Sequence, residues 1–440
     1  MIVNLLASAA MAAPVQLTAS DAVQRALLEN PDVDSADLSA AIAHIDARRA
    51  RLDRFTASID ATSGASLAWA DPPDLSASTT DLLSWDARAT ASVPLFAGGA
   101  IDASIDAADA GAKSADLDVA DTQRRLVRAV LFAYWTAVGV DTRIAAAVES
   151  LDATRKSHAI VEGRVGAGLA AGIDLNRSQV GLLGEEAAVL GLSREAFGAR
   201  QDLLALLHAP PSTELLLADT IAPSSFRLDA DALVQAALQA RPDLGALNAA
   251  IDGAAARRKV AAAGFYPSVT ADAAAGVGAS SSGGTVDAGF GPVDQGTVTA
   301  DELRPTPDAS IGLSLHWNPF DLWQTADQVR QGRYAEDRAQ LGLKSAERQV
   351  ESEVRSAVNR LETLRSEEVL VQRQVDLARR NNQIVQDLYS LGSATLLDLL
   401  DAQASFRDAV TRSVNHRLDL VLAEVELADA VSAPLPGAAP

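Results

Sequence analysis

Two aspartates near the C-terminus, Asp398 and Asp401, have the strongest claim to a function among the polar residues. They stand three apart, so on a helix they share one face. They fall inside a leucine-rich stretch, Leu396-Leu397-Asp398-Leu399-Leu400-Asp401, rather than in a run of charge. Carboxylates set apart in this way can line a narrow passage and attract cations, most of all where several copies of a chain meet around an axis. Crowding like charges there should raise their pKa values. The plainer reading is a solvated face on an acidic protein. Asp174 holds the matching place in an earlier stretch of similar design, Arg164 to Gln179.

Other chemistry is sparse. His44, His158, His208, His316 and His416 are scattered and share no ligand spacing. No nucleophile elbow, Walker loop or HExxH pattern occurs. Gly163, Gly166, Gly168 and Gly172 look superficially like a phosphate loop, but no strand precedes them and no Lys-Ser/Thr follows, so a turn between helices fits better. No catalytic residue, cofactor or metal is expected. Cysteine is absent, which removes disulfides, thiolate zinc sites and a lipid-modified N-terminal cysteine. The 58 acidic residues outnumber the 37 basic ones, for a net charge of −21, and no basic face is clustered. That balance argues against a nucleic-acid partner.

The elements that must position the acids come next. A helix arrives at Tyr389, stops at Gly392 and restarts at Leu396. Glycine just past a helix end takes a left-handed backbone at no steric cost. Gly168 marks the same event earlier, and the offset is constant, since 392 − 168 = 224 and 398 − 174 = 224. The same offset relates Leu399 to Leu175, Gln403 to Gln179 and Phe320 to Phe96. The 440 residues therefore read as two copies of one design rather than as two or three unrelated domains. Copy one covers 13–208 and copy two 228–433, joined by the proline-bearing linker 209–227 and followed by a disordered tail, 434–440. Residues 1–12 resemble a signal peptide without its basic start, ending in Ala10-Met11-Ala12.

Each copy opens with a short amphipathic helix that stops before a proline, at Asn30-Pro31 and at Arg241-Pro242. The period then falls from 3.6 to 2. Strands are expected at about 56–69 and 85–95, then at about 266–279 and 308–317, each alternating strictly. Their apolar faces carry Ile59, Leu67, Val93, Val269, Ile311 and Leu313. Strands of that length cross a bilayer when tilted, so these side chains are expected to face lipid. Aromatic residues gather at the strand ends, among them Trp69, Trp85, Trp317 and Trp323, as in the girdle of a membrane barrel. A soluble hairpin with one face on a core is the competing reading. Loops rich in Gly, Pro, Ser, Thr and Asp join the paired strands, at 71–84 and 280–307.

After each second strand a helix starts and runs for nearly seventy residues, at about 98–208 and about 321–433 for the two helical hairpins. Val350, Ala357, Leu364, Val371, Ala378 and Val385 repeat every seven positions, which means coiled-coil packing. No apolar run reaches the ~18 residues of a membrane-spanning helix. Four strands cannot close a barrel, since the smallest have about eight, so the reading requires several copies.

The ordered set resembles the TolC-type outer-membrane efflux proteins, or outer-membrane factors, from about Leu17 to Val431. It rests on the paired openings at Leu17 and Leu228, on Val93-Pro94-Leu95-Phe96-Ala97-Gly98-Gly99, and on the two glycine turns with Ile173-Asp174-Leu175 and Leu397 through Ala402. The resemblance implies a mainly helical chain of two repeats, each helix, β-hairpin and long coiled-coil hairpin. It implies a homotrimer with one β-barrel in the bacterial outer membrane and an α-helical barrel in the periplasm. The implied function is a passive channel-tunnel for substrates of a tripartite efflux pump or type I secretion system, not an enzyme. The implied partners are outer-membrane lipid, a periplasmic adaptor that docks at Gly168, Leu169, Leu391 and Gly392, and an inner-membrane transporter. The implied gate uses Asp398 and Asp401, closed by contacts among Tyr389, Asp174 and an arginine. Ala394 stands where that arginine is expected, so the lock must differ. A non-conducting envelope scaffold or adhesin is the alternative.

Overall fold

The computed structural model describes residues 15–54, 56–65, 80–222, 229–283 and 305–432. The expectations for the signal peptide, for Leu67 and Trp69, for most of the two strand-joining loops and for the tail fall outside these residues. In chain order the elements are β1 (Val15–Leu17), α1 (Ala19–Glu29), α2 (Pro31–Leu52), β2 (Thr56–Ala65) and β3 (Thr80–Phe96). Then come α3 (Ala100–Gly166), α4 (Gly172–Leu206), β4 (Leu215–Leu217), α5 (Ala230–Ala240) and α6 (Pro242–Ala262). The chain ends with β5 (Ser268–Gly283), β6 (Thr306–His316), α7 (Leu322–Ser390) and α8 (Leu396–Val431). The protein is mainly helical, and none of its described helices is long and apolar enough to cross a membrane.

Two compact units divide it, and each takes chain from both halves. Ala40–Ser114 with Leu247–Gly342 form the unit that holds the four-stranded antiparallel sheet, in the order β2-β3-β5-β6. The register lines up every alternating residue. Ala57, Ala91, Ala273 and Ile311 form one row, and Val93, Ala271 and Leu313 part of another. The next rows belong to the opposite face. There Ser58 meets the Thr90 hydroxyl at 2.7 Å, Ser92 and Ser314 donate to Asp272, and Arg88 pairs with Asp308 at 3.0 Å. One face is therefore apolar and the other a polar network, as a period of two requires. Among the described residues nothing covers the exposed side chains of the apolar face. Ile59 is 85% exposed and Ile311 92% exposed, and Leu313 stands almost as open. Val93 and Val269, flanked by neighbouring strands, are half-buried. The sheet is open, with β2 and β6 at its edges.

The strand ends correct one expectation. Trp85 does not begin a strand; β3 starts at Thr80, and Trp85 lies inside it opposite Ser63 and Ala279. The polar residues 280–283 read as loop, yet they pair with 80–84, because a β ladder joins backbone groups and is indifferent to small polar side chains. Trp317 and Trp323 do flank the end of β6, and both are exposed. Gly98, in the turn from β3 to α3, has φ +60°, and a Cβ there would stand 2.7 Å from the Ala263 carbonyl oxygen. No other residue fits that approach.

Met1–Ser39, Ala115–Ala246 and Leu343–Pro440 form the other unit. Its core packs Leu17, Ala22, Ala26, Val130, Tyr134, Leu203, Leu204, Leu207 and Leu215 together. The short strands β1 and β4 pair in parallel beside it. Tyr134 is fully buried and its hydroxyl donates to the Leu17 carbonyl at 3.0 Å and to Asp219 at 2.9 Å. Asp219 also accepts the Ala19 amide at 2.7 Å, which ties the start of α1 to the chain after β4.

The residue before each opening proline ties down a distant helix end. Asn30 donates to the Leu206 carbonyl at 3.1 Å, and Arg241 reaches the Ala430 carbonyl at 3.5 Å. Those acceptors are again 430 − 206 = 224 apart. Arg241 is buried and also donates to Asp243 at 2.7 Å and Glu353 at 2.8 Å. Burial works against all three charges. The pairing outweighs it and holds Asp243 and Glu353 below the ordinary carboxylate range. Along α7 the seven-residue seam is the buried one: Val350, Val354, Ala357, Leu361, Val375 and Tyr389 are all buried. The seam's lower positions, Leu364, Val371, Ala378 and Val385, are half-buried.

Candidate functional site: the two helical hairpin turns

The turns that carry the sequence-predicted residues lie in the same unit as this seam. Where α3 ends, the amide of Gly168 bonds to the Val165 carbonyl at 3.0 Å and that of Leu169 to the Arg164 carbonyl at 2.8 Å. Where α7 ends, Gly392 bonds to Tyr389 at 3.0 Å and Ser393 to Leu388 at 2.8 Å. Gly168 has φ +70° and Gly392 φ +77°. Both are Schellman-type ends, in which a left-handed residue lets the following amides reach back to the last carbonyls. Leu169 and Leu391, one beside each glycine, are 70% and 77% exposed.

The helices that follow start differently. In α8, Thr395 caps: its hydroxyl accepts the Asp398 amide at 3.2 Å, while the Asp398 carboxylate accepts the Thr395 amide at 2.9 Å and hydroxyl at 2.6 Å. This reciprocal capping box satisfies two otherwise orphaned backbone donors. In α4 the cap position is Ala171, with no side-chain bond. Asp174 is in the first turn of α4 with Arg177 at 4.0 Å.

Asp398 and Asp401 are both exposed on α8. Asp398 is not a free carboxylate, since Thr395 holds its carboxyl below the ordinary range. Within one chain its shift is thus downward, opposite in direction to the rise expected from crowded like charges. Tyr389, by contrast, is buried in a small cluster with Val161, Leu396 and Leu399, against which Val165, Val385, Ala394 and Leu400 pack. Burial, with the charge of Asp174 adding to it and that of Arg164 opposing it, raises its phenol. The Tyr389 hydroxyl has no hydrogen-bond partner among the described residues, so Asp174 acts on it through its charge and not through a bond.

Sequence reasoning missed Arg164. Its Nη1 donates to the Tyr389 carbonyl at 2.5 Å, and its guanidinium carbon lies 5.0 Å from the Tyr389 ring centre. The available signal was a basic residue in the last turn of α3, which is a common helix-end feature. Further along α8, Gln403 donates to the buried Ser157 at 2.6 Å and Arg407 pairs with the buried Glu185. Among the described residues no three His, Cys, Asp or Glu side chains are grouped to hold a metal ion.

The profile of the family described as outer membrane efflux protein matches residues 22–208 and 233–433. The chain is 25% identical over 340 residues to outer membrane protein TolC of Vibrio cholerae, covering 74% of this chain and 72% of that one. Its fold is similar to that of outer membrane protein VceC of Vibrio cholerae, with a TM-score of 0.78, 19% identity, and coverage of 95% of this chain and 97% of that one. It is similar also to the open state of the Neisseria gonorrhoeae MtrE outer membrane channel, with a TM-score of 0.73, 17% identity, and coverage of 94% and 89%. All three are outer membrane proteins, and MtrE is an outer membrane channel. The chain belongs to the outer membrane efflux protein family.

Proposed function

We propose that the protein is a passive export duct, a homotrimer whose twelve strands close one barrel in the outer membrane and whose helices form a tunnel through the periplasm. It would conduct substrates delivered by a tripartite efflux pump or a type I secretion system, and it performs no chemistry of its own. The observation that carries this reading is the sheet: among the described residues it is four strands with an edge at β2 and at β6, and an apolar face on which Ile59, Ile311 and Leu313 stand exposed. Leaving both the edges and that face in water is costly, and a closed barrel in lipid satisfies both. The lipid-facing set among the described residues is Ile59, Val93, Val269, Ile311 and Leu313. Trp85, Trp317 and Trp323 belong to the headgroup girdle, Trp85 within β3 and the other two beyond the end of β6.

In this reading the exposed turns at Gly168, Leu169, Leu391 and Gly392 dock a periplasmic adaptor, which couples the duct to an inner-membrane transporter. Asp398 and Asp401 line the periplasmic constriction, with Tyr389 and Asp174 at its closing contact. The test is conductance of the purified oligomer in a planar bilayer. Discrete cation-preferring steps are expected. A pure, folded oligomer that never conducts would refute the duct and favour a scaffold.

A further inference from the structure

The second hairpin turn is held from the first hairpin. Arg164, in the last turn of α3, donates from Nη1 to the Tyr389 carbonyl at 2.5 Å and reaches the Ser390 carbonyl at 3.5 Å. The Tyr389 carbonyl is also the one that closes the glycine turn through the Gly392 amide, so it accepts twice. The guanidinium lies against the turn itself, since a Cβ on Gly392 would stand 3.4 Å from its Nη2. A cation suits this place, because the last carbonyls of a helix carry its partial negative charge. Stacking over the Tyr389 ring adds a cation–π contact.

The hold runs one way. Leu388 occupies the matching position in α7, 388 − 164 = 224, and offers no such group to the end of α3. Ala394 packs against the apolar cluster of Val161, Tyr389, Leu396 and Leu399. Because Leu396 and Leu399 belong to the first turn of α8, whatever fixes Tyr389 also fixes the turn that carries Asp398 and Asp401.

We propose that Arg164 is the positioning residue that holds the α7–α8 turn, and with it Asp398 and Asp401, in the narrowed arrangement of the duct. This rests on the duct reading given above. The guanidinium does the work of a lock from within the same chain, by gripping backbone carbonyls.

The test uses the full-length protein in detergent and in planar bilayers, with Arg164→Ala, Arg164→Lys and Tyr389→Leu. Hydrogen exchange is followed in peptides covering 388–399, with peptides covering 126–140 as an internal reference. Arg164→Ala should speed exchange in 388–399 by about tenfold, the worth of one charge-assisted hydrogen bond, and leave 126–140 unchanged. It should also raise conductance and weaken block by La3+. Lysine keeps a charge on the carbonyls without the stacked plane and should restore part of both effects, while Tyr389→Leu should give a smaller change than Arg164→Ala. If exchange in Arg164→Ala matches the wild type, Arg164 holds nothing and the proposal fails. If exchange rises but conductance and block do not change, the turn is held without setting the duct, and the proposal also fails. If exchange rises everywhere the alanine variant is unfolded, and the lysine variant decides on the same two readouts. A wild-type oligomer that never conducts refutes the duct reading; the exchange result then reports on the turn alone.

Discussion

Placing one arginine on either face of the same strand tests the sheet reading directly. Ile311 is the sixth of the eleven residues of β6, so it lies at the strand's midpoint. It is 92% exposed, and its row across the sheet is Ala273, Ala91 and Ala57, with no polar side chain to receive a charge. Its neighbour Ser310 is on the opposite face, in the row of Ala274, Thr90 and Ser58. On the lipid face of a barrel an arginine at the bilayer midplane costs roughly 2–4 kcal/mol, and on the lumen face it costs little. In a three-copy barrel Ile311→Arg therefore costs about 6–12 kcal/mol per assembly, comparable with the whole stability of a typical folded domain. Ser310→Arg enters the polar network and should be tolerated. The assay is the fraction of protein recovered from membranes as a heat-modifiable oligomer on gels. Near-complete loss is expected for Ile311→Arg and wild-type recovery for Ser310→Arg. Equal recovery of the two variants, or the reverse order, would refute the assignment of the apolar face to lipid.

Other consequences follow from the turns and from the buried charges. Replacing both Asp398 and Asp401 by alanine should reduce cation preference and La3+ block in planar bilayers, and unchanged selectivity would remove them from the constriction. The folded-state pKa of Asp398 is depressed, so its capping contribution is present above its unfolded value, about 3.9, and is lost as pH falls through the lower folded value. Thr395→Ala removes the hydroxyl bond, the larger of the two that depress it, and leaves the backbone amide bond, so the pH at which acid loosens the start of α8 should move upward, as read from the pH dependence of exchange in 396–401. Arg241→Ala strands the carboxylates of Asp243 and Glu353; with Glu353 41% exposed and screened, the loss should be about 2–3 kcal/mol, below the range for a fully buried pair. A fall in the urea midpoint without a change in slope would check it.

How much of this was legible depended on how local each signal is. The glycine turns were, because a left-handed residue after a helix is marked by its own identity, and Gly168 and Gly392 both adopt it. The strands were too, because alternation accumulates over ten residues; their ends were not, since the polar residues 280–283 keep backbone pairing that composition does not encode. β1 and β4 were invisible: three residues carry no period, and Val15 meets Leu215 only in the folded chain. Arg164 was missed for the same reason. Its partner carbonyl is 225 residues away, and only the folded chain brings the two together.

The two copies share a backbone plan but not its fastenings, and the difference has a consequence that can be measured. Thr395 and Ala171 are matched positions, 395 − 171 = 224, as are Asp398 and Asp174. The second turn has a complete capping box and the Arg164 grip. The first has Asp174 at the right place for a box but an alanine opposite it, with no side-chain bond at the cap. An uncapped helix start leaves its first amides to solvent, and a Ser or Thr cap is worth about 1 kcal/mol over Ala. The first turn should therefore exchange faster than the second, with 172–175 ahead of 396–399. Ala171→Ser should let Asp174 complete a box and slow exchange in 172–175 by about fivefold, the factor that 1 kcal/mol represents. If 172–175 already exchanges as slowly as 396–399 in the wild type, side-chain capping is not what orders these turns. Contacts between neighbouring copies would then be the better explanation for both.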